Sequence, residues 1–188
     1  MKMNRKKDFL IIFFILFLIT VLIKGTDIQS VDEYYLTHID DIKEDSKTVY
    51  LTIVCDSVLE HMEDLDEGIR EMDVIGDGTI LARTEYVLRD GDTVYDILDR
   101  ACRYNKIQME HQGAKENSFG TVYIKGINYL YEFSCGNLSG WMYKVNGEFP
   151  KYGCSRYVLE DGGDIVWVYT CNLGDDIGGS FNNYEEKD

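Results

Sequence analysis

Ser139-Gly140-Trp141-Met142-Tyr143-Lys144-Val145-Asn146-Gly147, with Asp164-Ile165-Val166-Trp167-Val168-Tyr169-Thr170 after it, is the stretch that decides the fold. Side chains alternate across an extended chain, so Trp141, Tyr143 and Val145 share one face. Asn146-Gly147 then supplies two residues that tolerate positive φ, the strongest short signal for a tight hairpin turn. In the second segment Ile165, Trp167 and Tyr169 alternate with Val166, Val168 and Thr170, so both faces are apolar or nearly so. Such a strand is covered on two sides and belongs in the middle of a sheet.

The helix that covers this sheet lies upstream. Thr93 and Asp96 stand at capping-box spacing, and Val94, Ile97, Leu98, Ala101 and Cys102 recur as one apolar stripe. Asp96, Asp99, Arg100 and Arg103 fall on the opposite, outer face. Val49, Leu51, Ile53 and Cys55 alternate with Tyr50, Thr52 and Val54, which predicts a first strand. Ser57 and Glu60 repeat the capping-box spacing and predict a helix carrying Val58, Leu59, Met62 and Leu65, ended by Gly68 or by Gly76-Asp77-Gly78. Thr84 to Leu88 reads as a strand, Arg89-Asp90-Gly91 as its turn, and Ile107 to His111 and Thr121 to Ile124 as short strands. The order predicts an α+β fold, a small mixed β-grasp-like sheet gripping one main helix.

Charge divides the chain. Its 188 residues hold 19 Lys and Arg against 34 Asp and Glu, a net charge of −15. Residues 1–30 balance to +3 and the rest to −18. The acidic body repels phosphate backbones, which excludes nucleic-acid partners. Lys2, Arg5, Lys6 and Lys7 precede an apolar run from Phe9 to Ile23 broken only by Thr20, the pattern of a secretory signal. Small residues suited to cleavage are scarce in Val21-Leu22-Ile23-Lys24-Gly25, so an uncleaved signal anchor is preferred, with a cleaved signal peptide as the alternative. Either reading puts the body at the outer face of the membrane, or secreted if the segment is cleaved. The expected organisation is a hydrophobic anchor helix over 1–25, an acidic stalk over 26–47, a folded domain over 48–179 and a flexible polar tail over 180–188.

Reaction chemistry is hard to place. His38, His61 and His111 are scattered, none at metal-ligand spacing from another His or a Cys pair. There is no phosphate loop and no Gly-x-Ser-x-Gly elbow. The expectation is a protein that is not an enzyme and carries no metal or cofactor. Asp161-Gly162-Gly163-Asp164, Gly174-Asp175-Asp176, and Asp73 with Asp77 read as turns rather than calcium loops. Outside the cell, five Cys suit disulfides. Cys102 lies on the helix's buried face, which leaves Cys55, Cys135, Cys154 and Cys171 with three pairings. A Cys135–Cys154 bridge would staple the Trp141 hairpin.

Three motifs in order, Arg89-Asp90-Gly91-Asp92-Thr93-Val94, Ser139 to Gly147, and Leu159 to Thr170, make residues 48–179 resemble the transcobalamin C-terminal-like domain. That family is common, without assigned function, in surface proteins of Gram-positive bacteria. The matching positions are Gly91, Asp92, Thr93, Gly140, Gly147, Asp164, Trp167 and Tyr169. Gly162-Gly163 stands where a single Gly before Asp is usual. In the vitamin carriers the corresponding domain closes over one side of cobalamin. The resemblance therefore implies a small α+β module whose ligand-facing positions are Trp141, Tyr143 and Asn146, with cobalamin or a related corrinoid as ligand. The residues themselves leave a second reading open, since aromatics at period two also serve core and cross-strand packing. The functional expectation is a non-enzymatic binding module, attached to the membrane through its N-terminal segment and taking a small ligand or surface polymer. A structural or adhesive module that binds a surface protein is the alternative.

Overall fold

The structure is a computed structural model that describes residues 5–25 and 41–179. Most of the expected stalk (26–40) and the tail (180–188) lie outside the described residues. The chain divides into two units, 1–37 and 38–188. In the first, α1 (Arg5–Gly25) is 21 residues long. Its side chains from Leu10 to Ile19 are exposed. Among the described residues no helix is long and apolar enough to cross a membrane. An apolar run of fifteen residues rises about 22 Å, against a hydrocarbon core of roughly 30 Å.

The second unit holds the folded domain. Its strands are β1 (Thr48–Val54), β2 (Thr79–Val87), β3 (Met109–Gln112), β4 (Tyr123–Ile127), β5 (Leu130–Tyr131), β6 (Gly140–Val145) and β7 (Asp164–Thr170). The short α2 (Glu67–Glu71) precedes β2, and α3 (Val94–Asn105) follows it. A four-stranded sheet runs in the order β2-β1-β7-β6. Its centre is the parallel pair β1 and β7, with Leu51 opposite Ile165 and Ile53 opposite Trp167. β2 and β6 flank that pair antiparallel. A parallel pair made by the first and last strands, with a helix across one face, is the β-grasp-like arrangement expected. The remaining strands form a separate sheet, β3-β4-β5.

Burial follows the sequence periodicity. Val49, Leu51, Ile53 and Cys55 are all at 0% exposure. Val94, Ile97, Leu98 and Ala101 of α3 join Val49, Leu51, Ile53, Ile165 and Trp167 in one apolar core. The α3 cap forms as its spacing predicts: Thr93 accepts from the Asp96 N–H, and the Asp96 carboxylate accepts from the Thr93 N–H. A second core gathers Cys55, Val58, Leu65, Ile75, Leu130, Cys135 and Tyr169.

Three local expectations are corrected. The predicted helix through Val58 and Leu65 is only a 3-10 turn, Asp56–Glu60, with no side-chain cap. The Ser57 hydroxyl donates instead to the Tyr169 carbonyl at 2.6 Å, which pulls the would-be cap onto β7. Arg100 does not lie on an outer face. It is 9% exposed and donates to Asp92 Oδ2 at 2.7 Å and to the Val87 carbonyl at 2.8 Å. The hairpin after β6 is minimal. Asn146 (φ 52°) and Gly147 (φ 84°) make the turn, and Val145 and Glu148 exchange two hydrogen bonds. Pro150 then offers no N–H to a ladder, so the long partner of β6 is β7, through Trp141–Tyr169, Tyr143–Trp167 and Val145–Ile165.

Candidate functional site at the aromatic edge

The register of β6 on β7 puts Trp141 and Tyr143 on the same face of the sheet as Tyr169 and Trp167, at its edge. Both are half-buried. The Trp141 ring meets Tyr169 edge-on, centroids 5.3 Å apart, and its indole N–H donates to the Leu130 carbonyl at 2.8 Å. Tyr143 packs against Trp167 at 5.4 Å and Tyr157 at 6.4 Å, and its hydroxyl donates to the Tyr152 carbonyl. Each ring thus serves packing with one side and presents the other outward.

Two clefts open along this edge. The first, about 470 Å³, is walled by Phe119, Tyr123, Trp141, Tyr143, Tyr152 and Trp167. The second, about 600 Å³, is walled by Phe119, Tyr123, Trp141, Phe133, Leu138 and Leu173. Phe119, Tyr123 and Trp141 border both. Phe119 and Tyr152 are 69% and 66% exposed, so these rings stand over the clefts without being held in any core. A Cβ at Gly153 would fall 2.2 Å from Thr121, so only glycine lets the 152–154 loop close against the 119–124 segment here.

The clefts carry aromatic surface and little charge. Burial, and the 2.6 Å hydrogen bond donated to Glu132, push the Tyr123 phenol up to about 12. Burial also raises the Tyr143 phenol, so both remain neutral donors at ordinary pH. Trp167 is 2% exposed and its indole N–H finds no acceptor among the described residues. A third cleft, about 410 Å³, is charged and includes Asp56, Glu60, His61, Lys144 and Asp176. Lys144 there donates to the Ile177 carbonyl at 2.9 Å, and Asp176 accepts from the Thr170 hydroxyl and the Cys171 N–H. Among the described residues, no group of three or more His, Cys, Asp or Glu could hold a metal ion.

The structure separates the expected site residues. Trp141 and Tyr143 lie together at the clefts, with Trp167 behind Tyr143. Asn146 is at the opposite end of β6, where its N–H donates to the Asp164 carbonyl at 2.8 Å and its side-chain oxygen accepts the Asp164 N–H at 2.9 Å. Asp92 receives Arg100 and the Arg89 N–H, and Gly91 (φ 84°) makes the turn before them. Tyr169 is buried and donates to the Tyr131 carbonyl at 2.6 Å. Phe119, Tyr123, Phe133 and Tyr152 were not expected. A signal was present for two of them: Ser118-Phe119-Gly120 and Lys151-Tyr152-Gly153 place an aromatic directly before a glycine in a loop.

All five cysteines are thiols. The expected Cys135–Cys154 bridge is not formed. The two belong to different cores, and Cys154 donates to the Val122 carbonyl at 3.3 Å in the first cleft's wall. Cys135 and Cys171 are neighbours instead, Sγ to Sγ 3.1 Å.

A family described as a domain of unknown function (DUF4430) matches residues 91–171, which run from the turn before α3 to the end of β7. A candidate metal-binding protein from Ruminococcus gnavus is similar at 14% identity and TM-score 0.41, covering 66% of this chain and 96% of that one. Haptocorrin in complex with Cbi is similar at 16% identity and TM-score 0.45, over 71% of this chain. The chain spans only 27% of the haptocorrin chain. No curated protein matches.

Proposed function

We propose that this is a non-enzymatic binding module, held at the outer face of a membrane by its N-terminal segment, that takes a small flat or apolar ligand between Trp141 and the overhanging rings Phe119 and Tyr152. One observation carries the reading: two large exposed rings stand above a half-buried Trp–Tyr edge and wall clefts of about 470 and 600 Å³. Exposed aromatic surface gathered around a concavity is the usual form of a ligand or partner site. A flat ligand would stack on these rings. A corrinoid is the ligand class that the sequence resemblance supplies. The N-terminal attachment rests on the basic cluster before Phe9 to Ile23.

Absorbance titration of the full chain in detergent with cobinamide and with cobalamin tests the ligand. A saturable spectral change that weakens in Phe119→Ala supports the corrinoid. Silence with both corrinoids, alongside saturable binding of the aromatic anionic dye anilinonaphthalene sulfonate that weakens in Phe119→Ala, keeps the site and removes that ligand. Silence with all three, and capture of a surface protein, would favour the adhesive module.

A further inference from the structure

We propose that Cys135 and Cys171 are a reversible thiol–disulfide clasp that fastens the 132–139 loop to the end of β7. The pair lies 36 positions apart in sequence, yet the sulfurs are 3.1 Å apart, and the thiol of Cys171 is directed at Cys135. A disulfide needs about 2.05 Å, so closure asks for a movement of about 1 Å. The other thiols have other surroundings. Cys55 faces the Ile75 carbonyl at 4.0 Å, Cys154 faces Val122, and Cys102 lies on the buried stripe of α3.

The two sulfurs differ in access, which sets the order of events. Cys135 is 2% exposed, while Cys171 is half-buried and reachable. Cys171 loses its proton to solvent and attacks a small disulfide oxidant. The oxidant's S–S bond breaks, one thiolate leaves, and a mixed disulfide stands on Cys171. Cys135 then loses its proton and attacks Cys171 Sγ, releasing the second thiolate. Two protein thiols are oxidised and one oxidant disulfide is reduced to two thiols. Burial raises both thiols, and carboxylates of Asp64, Asp176 and Glu63 add to this at Cys135. The same carboxylates disfavour anionic oxidants, so the suitable reagent is a neutral one.

The clasp has a consequence for the proposed site and there rests on that reading. Phe133 and Leu138, on the loop that carries Cys135, form one wall of the second cleft, and Leu173, two residues after Cys171, forms another. In the reduced chain the Leu173 N–H to Leu138 carbonyl bond, 2.9 Å, joins them. A covalent link fixes that wall.

The test is made on the wild-type full chain with hydroxyethyl disulfide, followed by alkylation and peptide mapping without reduction. The expected result is a linked Cys135–Cys171 peptide, with Cys55, Cys102 and Cys154 alkylated only after denaturation. Subsequent reduction should lower Tm by roughly 10 °C for a loop of this length, and should not move the Tm of Cys171→Ser treated in the same way. A persistent hydroxyethyl adduct on Cys171 with Cys135 alkylated, a link from Cys135 to Cys55 or Cys154, or a Tm indifferent to reduction would each overturn the clasp. None of these readouts uses a ligand, so failure of the clasp and failure of the binding site are told apart.

Discussion

The indole N–H of Trp141 donates to the carbonyl of Leu130 at 2.8 Å, and this bond joins the edge strand of the four-stranded sheet to the last strand of the three-stranded one. Trp141 is therefore a tie between two sheets as well as a wall of both clefts. Trp141→Phe keeps most of the ring contact and removes this hydrogen bond, at a cost of about 1 kcal/mol. Trp141→Ala also loses the Tyr169 contact and should cost about 3–5 kcal/mol. Urea unfolding followed by circular dichroism measures both.

Phe119 and Tyr152 make the cleaner site probes. Neither ring is held in a core, so Phe119→Ala and Tyr152→Ala should each change stability by no more than about 0.5 kcal/mol. Each removes a ring that stands over the first cleft and should weaken binding of anilinonaphthalene sulfonate several-fold. Fluorescence titration beside a melting curve separates the two effects.

The buried Asp92–Arg100 pair anchors the start of α3. Asp92 holds the Arg100 guanidinium at 2.7 Å and the Arg89 N–H at 2.8 Å. Asp92→Ala leaves the arginine buried without its counter-charge and should cost about 3–5 kcal/mol, because a broken buried pair is far worse than an absent one. Thr93→Ala, which removes the cap hydroxyl and a methyl group, should cost about 1 kcal/mol. Denaturant midpoints of the two variants give the ranking.

Stability should decline under alkaline conditions. Burial pushes Cys55, Cys102 and Cys154 from an ordinary 9.0 up to about 12. The folded chain holds these protons more tightly than the unfolded one. That contribution is complete below pH 9.0 and is lost as pH climbs towards about 12. Tyr123, also pushed to about 12, adds to the loss above its ordinary 10.0. Tm measured between pH 7 and 11 in roughly half-unit steps should be flat at first and fall beyond about pH 9. A rising Tm in that range would contradict the burial of these groups.

The central architecture was legible because burial is written as periodicity. Val49, Leu51, Ile53 and Cys55 at period two, and Val94, Ile97, Leu98 and Ala101 at helical spacing, specify β1 and α3 directly. Ile165, Trp167 and Tyr169 between apolar neighbours specify a central strand. The misreadings occur where a long-range partner outweighs a local signal. Ser57 has the spacing of a cap, but the Tyr169 carbonyl is 112 positions away in sequence and takes its hydroxyl. Arg100 carries the charge of an outer face, but Asp92 and Val87 fold back to receive it. Two strands of the second sheet were legible, at Ile107 to His111 and Thr121 to Ile124, but β5 was not, because it is two residues long and alternation needs more. Of the site, Trp141 and Tyr143 were visible on their strand. Phe119 and Tyr152 were not, since loops have no period that says which way a side chain points.

Asn146 illustrates the same limit at one turn. Its φ of 52° and its two hydrogen bonds with Asp164 give it structural work at the far end of β6. Asn146→Ala should cost about 1–2 kcal/mol, from a strained left-handed backbone and a lost hydrogen bond. It should leave dye affinity at the aromatic edge unchanged, which a titration at matched folded fraction would check.

The central claim is that the aromatic edge binds a flat or apolar ligand, and the most direct measurement of it is fluorescence titration of the full chain with anilinonaphthalene sulfonate under native conditions. Saturable binding by the folded chain, weakened several-fold in Phe119→Ala with its melting curve unmoved, is the predicted result. Dye binding that is absent from the folded wild-type chain, or equal in the two folded proteins, would contradict it.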